Sequence, residues 1–165
     1  VTLQVVPPPQ AILITILMGM TLTAPVLLYT RRQVRGRRWT DYDVSVRTDR
    51  YRLYPLILIV CLLSALVFWL VGAPAFILRG IAAGTSLAFI AMLINLRLKI
   101  SLHAALAMEC AVVILALVPW LGMLACGFGL LIGWSRVVLR RHTALEVLSG
   151  GLLGIIIGAV LVLSG

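Results

Sequence analysis

Ala11 to Tyr29 and Leu53 to Val71 each run without a single charged side chain, and from Thr143 to Leu163 only Glu146 intervenes. A helix crossing a bilayer needs about 20 mostly apolar residues at 1.5 Å rise each, and these runs supply them. Size excludes a water-soluble alternative. With 165 residues, 62% of them apolar, and a mean hydropathy of +1.15, the chain has too little interior to hide this surface.

The whole pattern predicts an all-α, integral membrane bundle of six transmembrane helices in a single domain over 1–165. The spans fall at about 11–30, 53–71, 75–96, 102–118, 121–134 and 143–163. The first contains Pro25, which should kink it, and its positive charges follow the run instead of preceding it, unlike a signal peptide. Gly72-Ala73-Pro74 reads as a tight turn between the second and third spans. Pro119 and Trp120 read as a break before a fifth span that is the shortest, roughly 21 Å if helical. Gly150, Gly151, Gly154 and Gly158 give the sixth span small-residue positions for close helix packing.

A net charge of +9 suggests nucleic acid in a soluble protein, but here the cations crowd into loops at a membrane face, so no nucleic-acid partner is expected. Six crossings put both termini on one side and the loops 31–52, 97–103 and 135–142 together on the other. All of the 14 Lys and Arg except Arg79 lie on that loop side. The positive-inside rule then places the loops in the cytoplasm of a multi-pass cell-membrane protein, with the termini opposite. Setting aside Arg47, Arg50, Lys99 and Arg136 as possible anion ligands leaves the asymmetry in place. Cys61, Cys110 and Cys126 are scattered through apolar runs and read as buried hydrophobes, with no disulfide framework or metal site.

Both histidines sit in the converging loops, each beside a cation and a serine: Lys99-Ile-Ser101-Leu-His103, and Ser135-Arg136 followed by His142 and Glu146. If the last helix begins near His142, Glu146 lies one turn along on the same face. A carboxylate there can hold one imidazole nitrogen and leave the other as nucleophile or base. Arg136 offers a planar fork to phosphate oxygens, and Lys99, Ser101 and helix-end amides offer further donors. His103 is placed to protonate a departing alkoxide. The competing reading is interfacial, with cations snorkelling to lipid phosphates and histidines merely tolerating the boundary.

These residues resemble the signatures of the type 2 phosphatidic acid phosphatase superfamily of membrane lipid phosphatases. Its third signature, Ser-Arg, five residues, His, three residues, Asp, is similar to Ser135-Arg136, His142 and Glu146, with Glu in place of Asp. The second, commonly Pro-Ser-Gly-His, is similar to Ile100-Ser101-Leu102-His103, preceded by Lys99 in the Lys-Ile-Ser-x-His form of one branch. The first, Lys, six residues, Arg-Pro, is not intact, since Tyr54 precedes Pro55; a shifted reading uses Asp43, Arg47 and Arg50. The resemblance covers about Asp41 to Gly154.

It implies a phosphatase without metal or cofactor, acting on a lipid phosphate among anionic membrane lipids. His142 would attack phosphorus to form a phosphohistidine, Glu146 would orient it, and His103 would protonate the leaving oxygen and then activate water. Arg136, Lys99, Ser101 and Arg47 or Arg50 would bind the phosphate oxygens, where charge spreads during phosphoryl transfer. A non-catalytic lipid-phosphate-binding or transport protein of the same fold is the alternative. Glu109, deeper in the fourth span, is open between substrate or proton handling and a packed, hydrogen-bonded acid. Arg140 and Arg141 are open between a second phosphate and solvated charge, and the run Arg31 to Arg38 reads as an orientation signal and lipid anchor.

Overall fold

The computed structural model describes residues 7–164, and among them every regular element is helical. In chain order these are α1 (Pro8–Met18), α2 (Ala24–Arg35), α3 (Arg50–Leu70), α4 (Ala75–Asn95), α5 (Leu102–Leu117), α6 (Pro119–Val138) and α7 (Ala144–Leu163). A five-residue π-helical segment, Gly19–Thr23, joins α1 to α2, so Pro9–Arg35 runs as one 27-residue apolar helix. Among the described residues, five helices are long and apolar enough to cross a membrane. The helix that falls short is α5, whose 16 residues span about 24 Å.

The expected kink at Pro25 takes a specific form. A proline cannot donate to the carbonyl one turn back, and the π segment absorbs the mismatch just ahead of it, with the Ala24 amide donating to Gly19, five residues back. The fifth span is not the short one. Pro119 and Trp120 do not interrupt the chain but open α6, because a proline at the first helical position lacks only an amide that would have no partner there. α6 also continues past Trp134 to Val138, which puts Ser135 and Arg136 on its last turn instead of in a loop. Likewise α2 extends through Arg35, taking Arg31 and Arg32 into the helix.

Contacts divide the chain into two compact units, 2–85 and 86–165. In the first, the segment after α2 folds back on the helices: Trp39, Val44 and Leu53 form a buried cluster with Val26, Tyr29, Val34 and Ile57 against it. Tyr29 and Trp39 meet edge to face at 5.5 Å between ring centres. A second cluster, Phe68, Ile77 and Ile81, is covered by Ile14, Leu17 and Leu22 from the first helix. The turn after α3 is closed by Gly72 at φ +67°, with the Gly72 and Ala73 amides donating to Trp69 and Phe68 at 3.1 and 2.9 Å. It is a Schellman ending of the kind that needs a left-handed residue.

In the second unit α5 packs against both α6 and α7. Its contact with α7 is made of backbone. Gly150, Gly154 and Gly158 recur every fourth residue along one face of α7. A Cβ at these positions would meet the carbonyl oxygens of Ser101, Ala105 and Glu109 in turn. The glycines therefore let the two helices approach until only backbone separates them. That approach sets the first turn of α5 beside the first turn of α7.

Candidate active site

The segment between α6 and α7 builds the site from its backbone outward. α6 ends in a second Schellman motif: the amide of Arg140 donates to Val137 at 2.9 Å, and that of Arg141 to Arg136 at 3.0 Å. Arg140 takes the left-handed position at φ +54°, where glycine is usual and an L side chain costs about 1 kcal/mol. The turn brings the chain back so that the His142 amide also donates to the Arg136 carbonyl, at 3.1 Å. Six residues apart in sequence, Arg136 and His142 are thereby pinned to each other through the main chain.

Thr143 then caps α7. Its hydroxyl accepts from the Glu146 amide at 3.3 Å, and Glu146 Oε2 accepts from the Thr143 amide at 3.2 Å, a complete capping box. The same Oε2 lies 2.9 Å from His142 Nδ1. A carboxylate at this distance can accept from an Nδ1–H, the contact that in a neutral imidazole places the lone pair on Nε2. The His142 side chain is only 4% exposed, so packing as well as this bond holds the ring.

Lys99 adds a cation to the same oxygen. Its Nζ donates to the Arg141 carbonyl at 2.7 Å and stands 3.8 Å from Glu146 Oε2. An ammonium has three hydrogens, so these two partners leave it capacity for an anion. Ser101, fully buried, is the N-cap of α5, its Oγ accepting from Ala104 at 3.4 Å. Its own amide donates to the Glu146 carbonyl at 3.0 Å, which ties the start of α5 to the first turn of α7. Ser101 thus has a structural task beyond the phosphate-donor role expected for it; the hydroxyl proton is not used by the cap.

Residues 86–165 thus bring Lys99, Ser101, His142 and Glu146 together, with Arg136 joined through its carbonyl and half-buried. His103 stands exposed on the first turn of α5, two residues beyond the cap. Arg47 and Arg50 belong to the other unit. There Arg50 is buried and its Nε donates to the Val44 carbonyl at 2.9 Å. Val44 is itself buried at φ +48°, a strained conformation for a β-branched residue that its cluster with Trp39 and Leu53 maintains. Arg47, half-buried, accepts the Arg50 amide at 3.3 Å where α3 begins. Glu109 is buried on α5 under Gly158, away from the first turn.

Two contacts of the cluster, the Thr143 cap and the Arg141 carbonyl, go beyond the roles expected from the sequence. Thr143-Ala-Leu-Glu146 has the spacing of a capping box and was open to recognition. Arg141, whose carbonyl holds Lys99, carries no such mark, because any residue supplies a carbonyl. Comparison with protein-family models, curated protein sequences and solved structures finds no match to the chain.

Proposed function

We propose that the chain is a six-span membrane phosphatase of the type 2 phosphatidic acid phosphatase superfamily, hydrolysing a phosphomonoester or diphosphate of an amphiphilic lipid. The observation that carries this reading is the Glu146 carboxylate oxygen 2.9 Å from His142 Nδ1, with the Lys99 ammonium beside it. This is the arrangement a histidine nucleophile requires: a fixed tautomer, a lone pair on Nε2, and a cation near the place where phosphate oxygens would sit.

In the reaction, Nε2 of His142 forms a bond to phosphorus as the bond to the lipid oxygen breaks, and His103 gives its proton to that oxygen. Water, deprotonated by His103, then attacks the phosphohistidine and releases phosphate. Lys99, Arg136 and the Ser101 hydroxyl stabilise the oxygens, while Arg47 and Arg50 enter this reading from the resemblance alone. α5 serves as a short span, and the basic loops face the cytoplasm. Purified protein should release phosphate from phosphatidic acid or a prenyl diphosphate, and His142→Ala should not; equal activity of the two overturns the mechanism.

A second reading, a lipid-phosphate binder without turnover, draws on a different observation. Glu146 and Lys99 are both engaged in holding the α6–α7 turn and the helix cap. Saturable binding of phosphatidic acid without phosphate release, across pH and lipid conditions, would select it.

A further inference from the structure

The helix Pro9–Arg35 carries no charge from Pro9 to Thr30, 22 residues or about 33 Å, enough to fill the roughly 30 Å hydrocarbon core of a bilayer. Its next turn holds Arg31, Arg32 and Arg35, all exposed, within about 6 Å of rise. That is the depth of one headgroup layer, about 5–8 Å. The chain then folds back at once. The amides of Arg37 and Arg38 donate to the Val34 and Gln33 carbonyls, both at 3.0 Å, a Schellman ending like that of α6. Trp39 follows, buried and in edge-to-face contact with Tyr29, so the exposed Arg37 and Arg38 stay beside the helix end.

Arg37 occupies the left-handed position of that ending, at φ +54°, where glycine is usual. Gly36 stands one residue too early and keeps φ −76°. No side-chain bond offsets the strain: among the described residues, Arg31, Arg32, Arg35, Arg37 and Arg38 make no side-chain hydrogen bond or ion pair. The nearest acid in sequence is engaged elsewhere, with Ser45 Oγ donating to Asp41 Oδ2 at 2.7 Å. Strain held at an exposed guanidinium with no partner in the chain points to a ligand outside it. Orientation in the membrane does not account for the choice of residue, because lysine serves that rule as well as arginine, and Lys99 is the chain's one lysine. What arginine adds is a planar fork that matches two phosphate oxygens.

We propose that Arg31, Arg32, Arg35, Arg37 and Arg38 form a binding site for the phosphate headgroup of an anionic phospholipid in the adjoining leaflet. The helix fixes the backbone of the first three, with Arg31 and Arg35 on one face, and the hydrogen-bonded turn fixes that of the other two. The site is thus built before the lipid arrives, and it retains a defined number of lipids instead of exerting a diffuse attraction on the whole surface. It lies wholly within residues 2–85 and draws neither on His142 nor on turnover.

The test counts bound lipid. Full-length protein in neutral detergent is titrated with phosphatidylglycerol, a diester that the proposed hydrolysis does not consume, or with phosphatidylcholine, and retained lipid is read by native mass spectrometry. Expected is saturable retention of phosphatidylglycerol over phosphatidylcholine. Changing Arg31, Arg32 and Arg35 together to glutamine should weaken it about a hundredfold, at about fivefold per cation near an anionic surface. Changing the same three to lysine preserves the charge and the insertion signal but not the fork, and should still weaken binding several-fold. Arg37→Gly should bind about fivefold more weakly while its thermal transition in lipid-free micelles rises, because the left-handed strain is gone. Arg79→Gln, which removes one exposed charge from α4, should bind like wild type. Retention unaltered by the lysine triple or by Arg37→Gly, or weakened equally by Arg79→Gln, leaves only diffuse attraction and overturns the site. Displacement of the lipid by millimolar inorganic phosphate assigns the arginines to the free ion and overturns the headgroup as ligand.

Discussion

Replacing Gly154 by alanine tests whether backbone contact between α5 and α7 assembles the site. The added Cβ would overlap the Ala105 carbonyl oxygen, lie 2.8 Å from its carbonyl carbon and 3.0 Å from the Glu109 amide nitrogen. All three atoms are main chain of a helix and cannot turn aside, so the helices must part by on the order of 1 Å to restore normal separations. Overpacking of this kind costs about 1–3 kcal/mol. The Ser101–Glu146 backbone bond, now 3.0 Å, would stretch beyond hydrogen-bonding range and remove about 1 kcal/mol more. Alanine's higher helix propensity returns about 1 kcal/mol, leaving a net loss of about 1–3 kcal/mol. Gly127→Ala is the counterpart. Its Cβ meets nothing within 4 Å, so only the propensity gain acts, about 0.5–1 kcal/mol of stabilisation. Denaturation in mixed micelles, followed by tryptophan fluorescence, measures both. Should Gly154→Ala prove as stable as Gly127→Ala, the close approach does not hold the helices together and the reasoning fails.

Three further outcomes follow from the site. Glu146→Gln keeps a residue that capping boxes accept but removes the charge facing His142, so phosphate release should fall by about 10²-fold or more with the thermal transition nearly unmoved; undiminished turnover would remove Glu146 from the mechanism. Thr143→Ala should lose about 1 kcal/mol of stability in the same denaturation assay while retaining most activity, because the amide that binds Glu146 Oε2 survives. Arg140→Gly relieves a left-handed residue and should stabilise by about 1 kcal/mol; a destabilised variant would mean that the arginine side chain contributes more than its backbone strain costs.

The helices were legible because lipid leaves apolar runs few alternatives, whereas their ends depended on atoms that composition does not describe. Pro119 looked like a terminator although the first helical position suits proline, and the close of α6 was hidden because Arg140, not glycine, takes the left-handed turn. The His142–Glu146 pair was readable from helical spacing alone. By contrast, the partners of Lys99 and Ser101 include backbone carbonyls of Arg141 and Glu146, which no residue pattern announces. The four-residue repeat of Gly150, Gly154 and Gly158 signalled packing, but only the geometry shows that it is packing against the carbonyls of Ser101, Ala105 and Glu109.

One atom, Oε2 of Glu146, closes the cap of α7 and also grips the imidazole of His142. Winding of the first helical turn and selection of the histidine tautomer are therefore a single event. A molecule in which that turn has frayed keeps every side chain of the cluster but loses the bond at Nδ1, leaving the ring held by packing alone. The population holding the His142–Glu146 contact is then set by the fraying equilibrium of one helix end, a quantity that amide hydrogen exchange at Thr143 and Glu146 reports without any ligand.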